Sequence, residues 1–189
     1  MPDAFHKLIR KPWLTATLLL LILTAIMAPS AVAAERVLSE YQVQAAYLIN
    51  FIRFTSWPPS AFRDEQQDIV IGILGEDVFG ATFDAIDGRY IANRRLQVLR
   101  LREGDNAQGC HLLYISGSEG RVLKQILAGL HGKAILTVSD LDNFATAGGM
   151  IEIKKVDDKI QLLINVNVIR AAGLQLRANL LKIATLVGR

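Results

Sequence analysis

Cysteine is almost absent from this 189-residue chain, which carries only Cys110. No disulfide can form within the chain, so the fold must rest on its apolar core, although exported proteins often staple themselves with cysteine pairs. Cys110 opens the apolar run CHLLYIS (110–116), which argues for a buried free thiol. The alternative is an interchain bridge, and with it a homodimer. Histidine is scarce too: beyond His6 there are only His111 and His131, expected on a strand face and in a helix-to-strand turn. No HExxH motif, Cys/His cluster or carboxylate ladder is present, so neither a metal nor another cofactor is expected.

The motifs of catalysis are also missing. GILGEDVFG (72–80) sits where a phosphate loop would, but it lacks both glycine-rich fingerprints. Glu76 and Asp77 would repel a phosphate there, and Asp77 reads as a helix N-cap. ISGSEG (115–120) lacks the first glycine of Gly-x-Ser-x-Gly, so Ser118 reads as a helix cap and not as a nucleophile. Cys110 and His111 are neighbours on a strand and point to opposite faces, which prevents a thiolate–imidazolium pair. The chain is not expected to be an enzyme.

No apolar run is long enough to span a membrane. Leu14–Ala28 is uncharged, follows Lys7, Arg10 and Lys11, and precedes Pro29, Ser30 and the small residues Ala31 to Ala34. At about 1.5 Å per residue its fifteen residues reach roughly 22 Å, short of the roughly 30 Å hydrocarbon core. Residues 1–34 therefore read as a signal peptide cleaved after Ala33 or Ala34, leaving one domain over 35–189 in the periplasm. An uncleaved N-terminal anchor is the alternative. Charge is nearly balanced as well. Removing the leader's three basic residues and one acid lowers the net charge from +3 to +1. The basic cluster Arg94, Arg95, Arg100 and Arg102 alternates with leucine and valine like the solvent side of a strand. That argues against nucleic acid.

What is present is an alternation of strands and helices. A helix is predicted from the Ser39 cap to Phe54. Strands are predicted over 68–75, 95–101, 110–116 and 133–140, with helices over 77–86 and 118–130 between them. A hairpin follows, 150–156 and 159–166, and a tail helix over 178–187. The fold class is α/β: a three-layer domain with a mixed sheet of about six strands, a parallel core plus a C-terminal antiparallel hairpin. In such a sheet Gly75, Ser116, Ser139 and Asp140 share the carboxyl edge, a candidate small-ligand site. In AAYLINFIRFTSWPP (45–59), Val43, Ala46, Tyr47, Asn50, Phe51 and Phe54 form one stripe, read as core-facing, with Asn50 clamping a neighbouring loop. In the hairpin, Ile160, Leu162, Ile164 and Val166 face the core, leaving Leu163 on a polar side. With Val168, Ile169, Leu174 and Leu176 it makes a candidate partner-binding patch.

The segments YQVQAAYLINFIRFTSWP, GILGEDVFG, CHLLYIS, ILTVSD, FATAGGMIEI, LLINV and AAGLQLRANLLKIA, in this order over about 39–186, resemble the YfiR-like family. The resemblance implies a periplasmic α/β protein that binds the periplasmic region of a membrane diguanylate cyclase, represses it and lowers cyclic di-GMP. It also implies sequestration by an outer-membrane lipoprotein. Family members often carry paired cysteines. Here only Cys110 stands at a family-like position, so control by intramolecular disulfides is not expected. The competing expectation is a periplasmic small-ligand sensor of another signalling system, using the carboxyl edge.

Overall fold

The computed structural model describes residues 28–91, 93–157 and 159–188, with side chains from Glu40 onward. The apolar run Leu14–Met27 lies outside the described residues. The chain divides into two compact units, 1–40 and 41–189. In the first, the described backbone is helical; the second is the α/β domain.

Helix α1 runs Ala28–Phe54, starting well before the expected Ser39 cap. Ala28, Ala31, Ala33 and Ala34 are strong helix formers, and their propensity carries the helix through Ser39. It leads directly into strand β1 (Thr55–Ser56), so α1 ends ahead of Pro58 and Pro59. Thereafter come β2 (Ile69–Leu74), α2 (Ala81–Asp84), β3 (Tyr90–Ile91), β4 (Arg94–Leu101), β5 (Leu112–Ile115), α3 (Leu123–Leu130) and β6 (Leu136–Ser139). The hairpin strands are β7 (Ile151–Val156) and β8 (Lys159–Asn165). They are followed by α4 (Val166–Ala171), β9 (Gln175–Leu176), α5 (Ala178–Lys182) and β10 (Thr185–Val187).

Eight strands form the main sheet in the order β10-β8-β7-β6-β5-β2-β4-β3, and β1 pairs with β9 in a small second sheet. The β4-β2-β5-β6-β7 core is parallel, and β7–β8 is the expected antiparallel hairpin. The sheet is wider than about six strands because β3 and β10 add short edges that periodicity does not reveal. The tail is not one helix: α5 stops at Lys182, and Thr185–Val187 pair in parallel with β8. The new element α4 is capped by Asn165, whose side-chain oxygen accepts from Val168 N–H at 3.2 Å.

All six residues of β2 are buried, as a central parallel strand requires. Ile69, Ile71 and Ile73 join the core beneath α1, α2, α4 and α5. Val70 and Leu74 face the opposite core with Leu113, Ile115, Phe144 and Leu127 of α3. These are the three layers.

Candidate functional site

The carboxyl edge does bring the expected residues together, because Gly75, Ser116 and Ser139-Asp140 follow the neighbouring parallel strands β2, β5 and β6. The Ser139 hydroxyl and the Gly75 and Ser116 N–H groups are spent on the fold. Ser139 Oγ donates to Ile115 O at 2.7 Å and accepts from Leu141 N–H at 3.1 Å. Ser116 N–H donates to Leu74 O, and Gly75 N–H to Leu101 O. Ser118 does not cap its own helix. It accepts from Glu76 N–H at 3.0 Å and donates to Glu119 Oε1 at 3.0 Å, binding the β2 and β5 turns to each other. Asp77 does cap locally, accepting from Phe79 and Gly80 N–H. Burial alone would raise its carboxyl, but Gly80 N–H, Arg100 and Phe79 N–H outweigh that and hold it low. Arg100 meets both Asp77 at 2.7 Å and Asp84 at 2.5 Å, so it braces α2 against β4.

Among the described residues, Gln44 Oε1 on α1 and Tyr114 Oη on β5 are buried without a hydrogen-bond partner of ordinary geometry. Burial pushes the Tyr114 hydroxyl far up, and Asp140 and Tyr41 add to it, so the group stays a neutral donor. Among the described residues, no three His, Cys, Asp or Glu side chains converge as a metal-holding group.

The α1 stripe is rotated from the expected one. Gln44, Ala45, Leu48, Phe51 and Ile52 are buried, whereas Val43, Ala46 and Asn50 are exposed. Asn50 is thus no internal clamp. That duty falls to Asn165, whose Nδ2–H donates to Ala145 O at 2.8 Å, and to Glu152. Both Glu152 oxygens accept from the 141–147 turn, at Asn143 N–H (3.3 Å) and Ala145 N–H (3.1 Å).

The C-terminal patch does not surface as a contiguous set. Ile169 (2 % exposed) and Leu174 (1 %) lie in the core, and Val168 and Leu176 pack partly buried against it. The reason is α4: a helical turn at 166–171 rotates Ile169 inward, which an extended segment would not do. Leu163 behaves as expected. It pairs with Glu152 on β7 and Thr185 on β10, on the side opposite Leu162 and Ile164, and remains half-exposed. Val187, two residues beyond Thr185, lies on the same side. So the outer face of β7-β8-β10 carries Leu163 and Val187, both partly buried, beside Glu152 and Asn165, which the 141–147 turn covers.

A feature the sequence reading missed lies at the opposite, amino-terminal edge. His111 is buried. Its Nδ1 accepts from Val70 N–H at 3.0 Å, so the neutral ring carries its proton on Nε2 and donates to Ala61 O at 3.2 Å. Phe62 stacks on the imidazole at 4.3 Å, Trp57 meets it edge-on, and the Arg94 guanidinium lies over Phe62 at 3.8 Å. Burial first, and Arg94 in addition, pull the His111 pKa down to about 4 against the opposing Ala61 bond. Trp57 and Phe62 lie five residues apart, but His111 is about fifty residues further on, so the sequence offered no signal that they meet.

The model of the YfiR/HmsC-like family matches residues 41–185. The chain belongs to that family. No curated protein matches it. Membership places the chain in a family of regulatory proteins associated with cyclic di-GMP signalling. The match covers the α/β domain from Tyr41 to the first residue of β10, Thr185. Packing explains the second glycine of FATAGGMIEI: a Cβ at Gly149 would clash with the buried Phe144 ring, so glycine lets the turn close. No helix among the described residues is long and apolar enough to cross a membrane.

Proposed function

We infer that this chain is an exported repressor of a membrane-bound diguanylate cyclase. It binds the cyclase's periplasmic sensor region, holds the cytoplasmic catalytic part off, and so lowers cyclic di-GMP. An outer-membrane lipoprotein that captures the repressor would release the cyclase. Family membership over 41–185 is the observation that carries this reading. The leader over 1–34 would be cleaved after Ala33 or Ala34, within the stretch occupied by α1.

The contact surface is the outer face of β7-β8-β10 around Leu163. An exposed leucine by itself is ordinary, but Leu163 and Val187 stand together on a strand face that is otherwise polar. The test is Leu163→Glu, assayed by circular dichroism, by pull-down with the cyclase's periplasmic region, and by cyclic di-GMP in cells holding the cognate cyclase. The variant should stay folded and bind at least about thirtyfold more weakly, roughly 2 kcal/mol, with cyclic di-GMP rising toward the deletion level. Undiminished binding by the folded variant would remove this face from the interface. If wild-type chain fails to bind the cyclase region and its deletion leaves cyclic di-GMP unchanged, the repressor reading itself fails.

A further inference from the structure

The crossover from β4 to β5 contains no α-helix. Residues 102–111 carry the chain back from the carboxyl edge to the amino-terminal edge, over the face of the sheet that α3 also covers. Loop and helix do not close on each other. Between them lies a slot of about 250 Å³, floored by Leu74 of β2 and Leu113 of β5 and walled by Val122, Ile126 and Leu130. Glu103 and Lys133 line it as well. Glu103 follows the carboxyl end of β4, whereas Lys133 follows α3 and precedes β6, so the two charges stand at opposite ends of the slot. Asp105 and Asn106, on the same rim, are held by their own turn, accepting from Arg102 and Gln108 N–H. Glu103 and Lys133 enter no ion pair among the described residues.

A glycine keeps this slot open. Gly129 lies inside α3 and lines the slot, and a Cβ there would meet no atom within 4 Å. Packing therefore does not require glycine at this position. Helix termination does not require it either, since that task falls to Gly132 at φ +72°. Glycine is a much poorer helix former than alanine. The chain thus gives up helix propensity where a side chain would narrow the slot.

We propose that the slot binds a short linear zwitterion, its apolar chain lying over Leu74 and Leu113, its ammonium at Glu103 and its carboxylate at Lys133. The eight residues of α3 span about 12 Å at about 1.5 Å each. A chain of about eight carbons fits that length, with its charged ends about 10 Å apart when extended. An α-amino acid carries both charges at one end and meets only one of the two rim groups. Ion pairs at an open rim contribute little, so the apolar chain supplies the affinity and the charges set the orientation. In the sheet order the slot is separated from β8 by β6 and β7, so this site goes beyond the repressor reading and does not depend on it.

The full chain is titrated with ω-aminooctanoate and followed by NMR at the amides of Leu113, Ile126 and Gly129. Octanoate, octylamine and α-aminooctanoate, the isomer with both charges at one end, are titrated in parallel. The expected result is a saturable shift at these amides with a dissociation constant on the order of millimolar. The ω-isomer should bind about fivefold more tightly than each of the other three probes. Lys133→Gln should weaken ω-aminooctanoate and octanoate and leave octylamine unchanged, and Glu103→Gln should weaken ω-aminooctanoate and octylamine and leave octanoate unchanged. Gly129→Leu fills the slot, so it should abolish the shifts at Leu113 and Ile126 while the thermal midpoint holds or rises. No saturable shift with ω-aminooctanoate would overturn the proposal. So would equal affinity for all four probes, which would reveal an apolar slot without a zwitterion site, or undiminished binding by a folded Gly129→Leu. Should Gly129→Leu not fold, the crossed pattern of the two charge variants decides alone.

Discussion

At Gly72 a methyl group has nowhere to go. A Cβ there would lie 2.6 Å from Cys110 Sγ and 2.8 Å from Leu113 Cδ1, inside the packed core beneath α3. Gly72→Ala should lower stability by about 1–3 kcal/mol in a denaturant titration, and adding Cys110→Ala should recover part of the loss. Additive effects would show that the two sites do not share this space. Cys110 itself is 4 % exposed, and burial pushes its thiol up to about 11. On the order of one thiol in a thousand is thiolate at pH 8, so native protein should label slowly and unfolded protein fast. Rapid stoichiometric labelling of native protein at that pH would contradict the burial. Glu152→Gln should cost about 1–3 kcal/mol, because its amide group would face a backbone N–H that now meets an oxygen. The burial of Cys110 was readable from CHLLYIS. The role of Glu152 was not, since an isolated acid on a strand looks solvent-facing until the 141–147 turn is folded over it.

Among the elements, α1 shows how far periodicity reaches. Apolar residues lie on nearly every side of 43–54, so the pattern specifies a helix and leaves its phase open; packing against the sheet chose Leu48 and Ile52 over Val43 and Asn50. The tail shows a different limit. ANLLKIATLV has helical spacing, yet its last residues gain backbone partners only because β8 offers an edge. The burial of α4 changes what one substitution means. Ile169→Glu places a charge at a site 2 % exposed, and it should destabilise by about 3 kcal/mol or more, losing its cooperative thermal transition near the wild-type midpoint. Leu163→Glu, on the half-exposed outer face, should shift that midpoint by only a few degrees. A well-folded Ile169→Glu would mean that α4 does not dock as described.

For the molecule as a whole, a chain with one cysteine holds its fold without a covalent staple. Its thermal midpoint should be the same with and without reductant, and a midpoint that falls on reduction would reveal an interchain Cys110 bridge. From the sequence alone came the α/β class, the parallel core, the antiparallel hairpin, the outward side of Leu163 and the likeness to a regulatory family. All of these rest on local alternation and on short ordered motifs, which neighbouring residues are enough to define. Tertiary structure decided the phase of α1, the burial of Ile169 and Leu174, the added edge strands, and the His111–Phe62–Arg94 network. Each depends on residues far apart in the chain meeting at a sheet edge or face. Their partners' positions exist only once the sheet has formed.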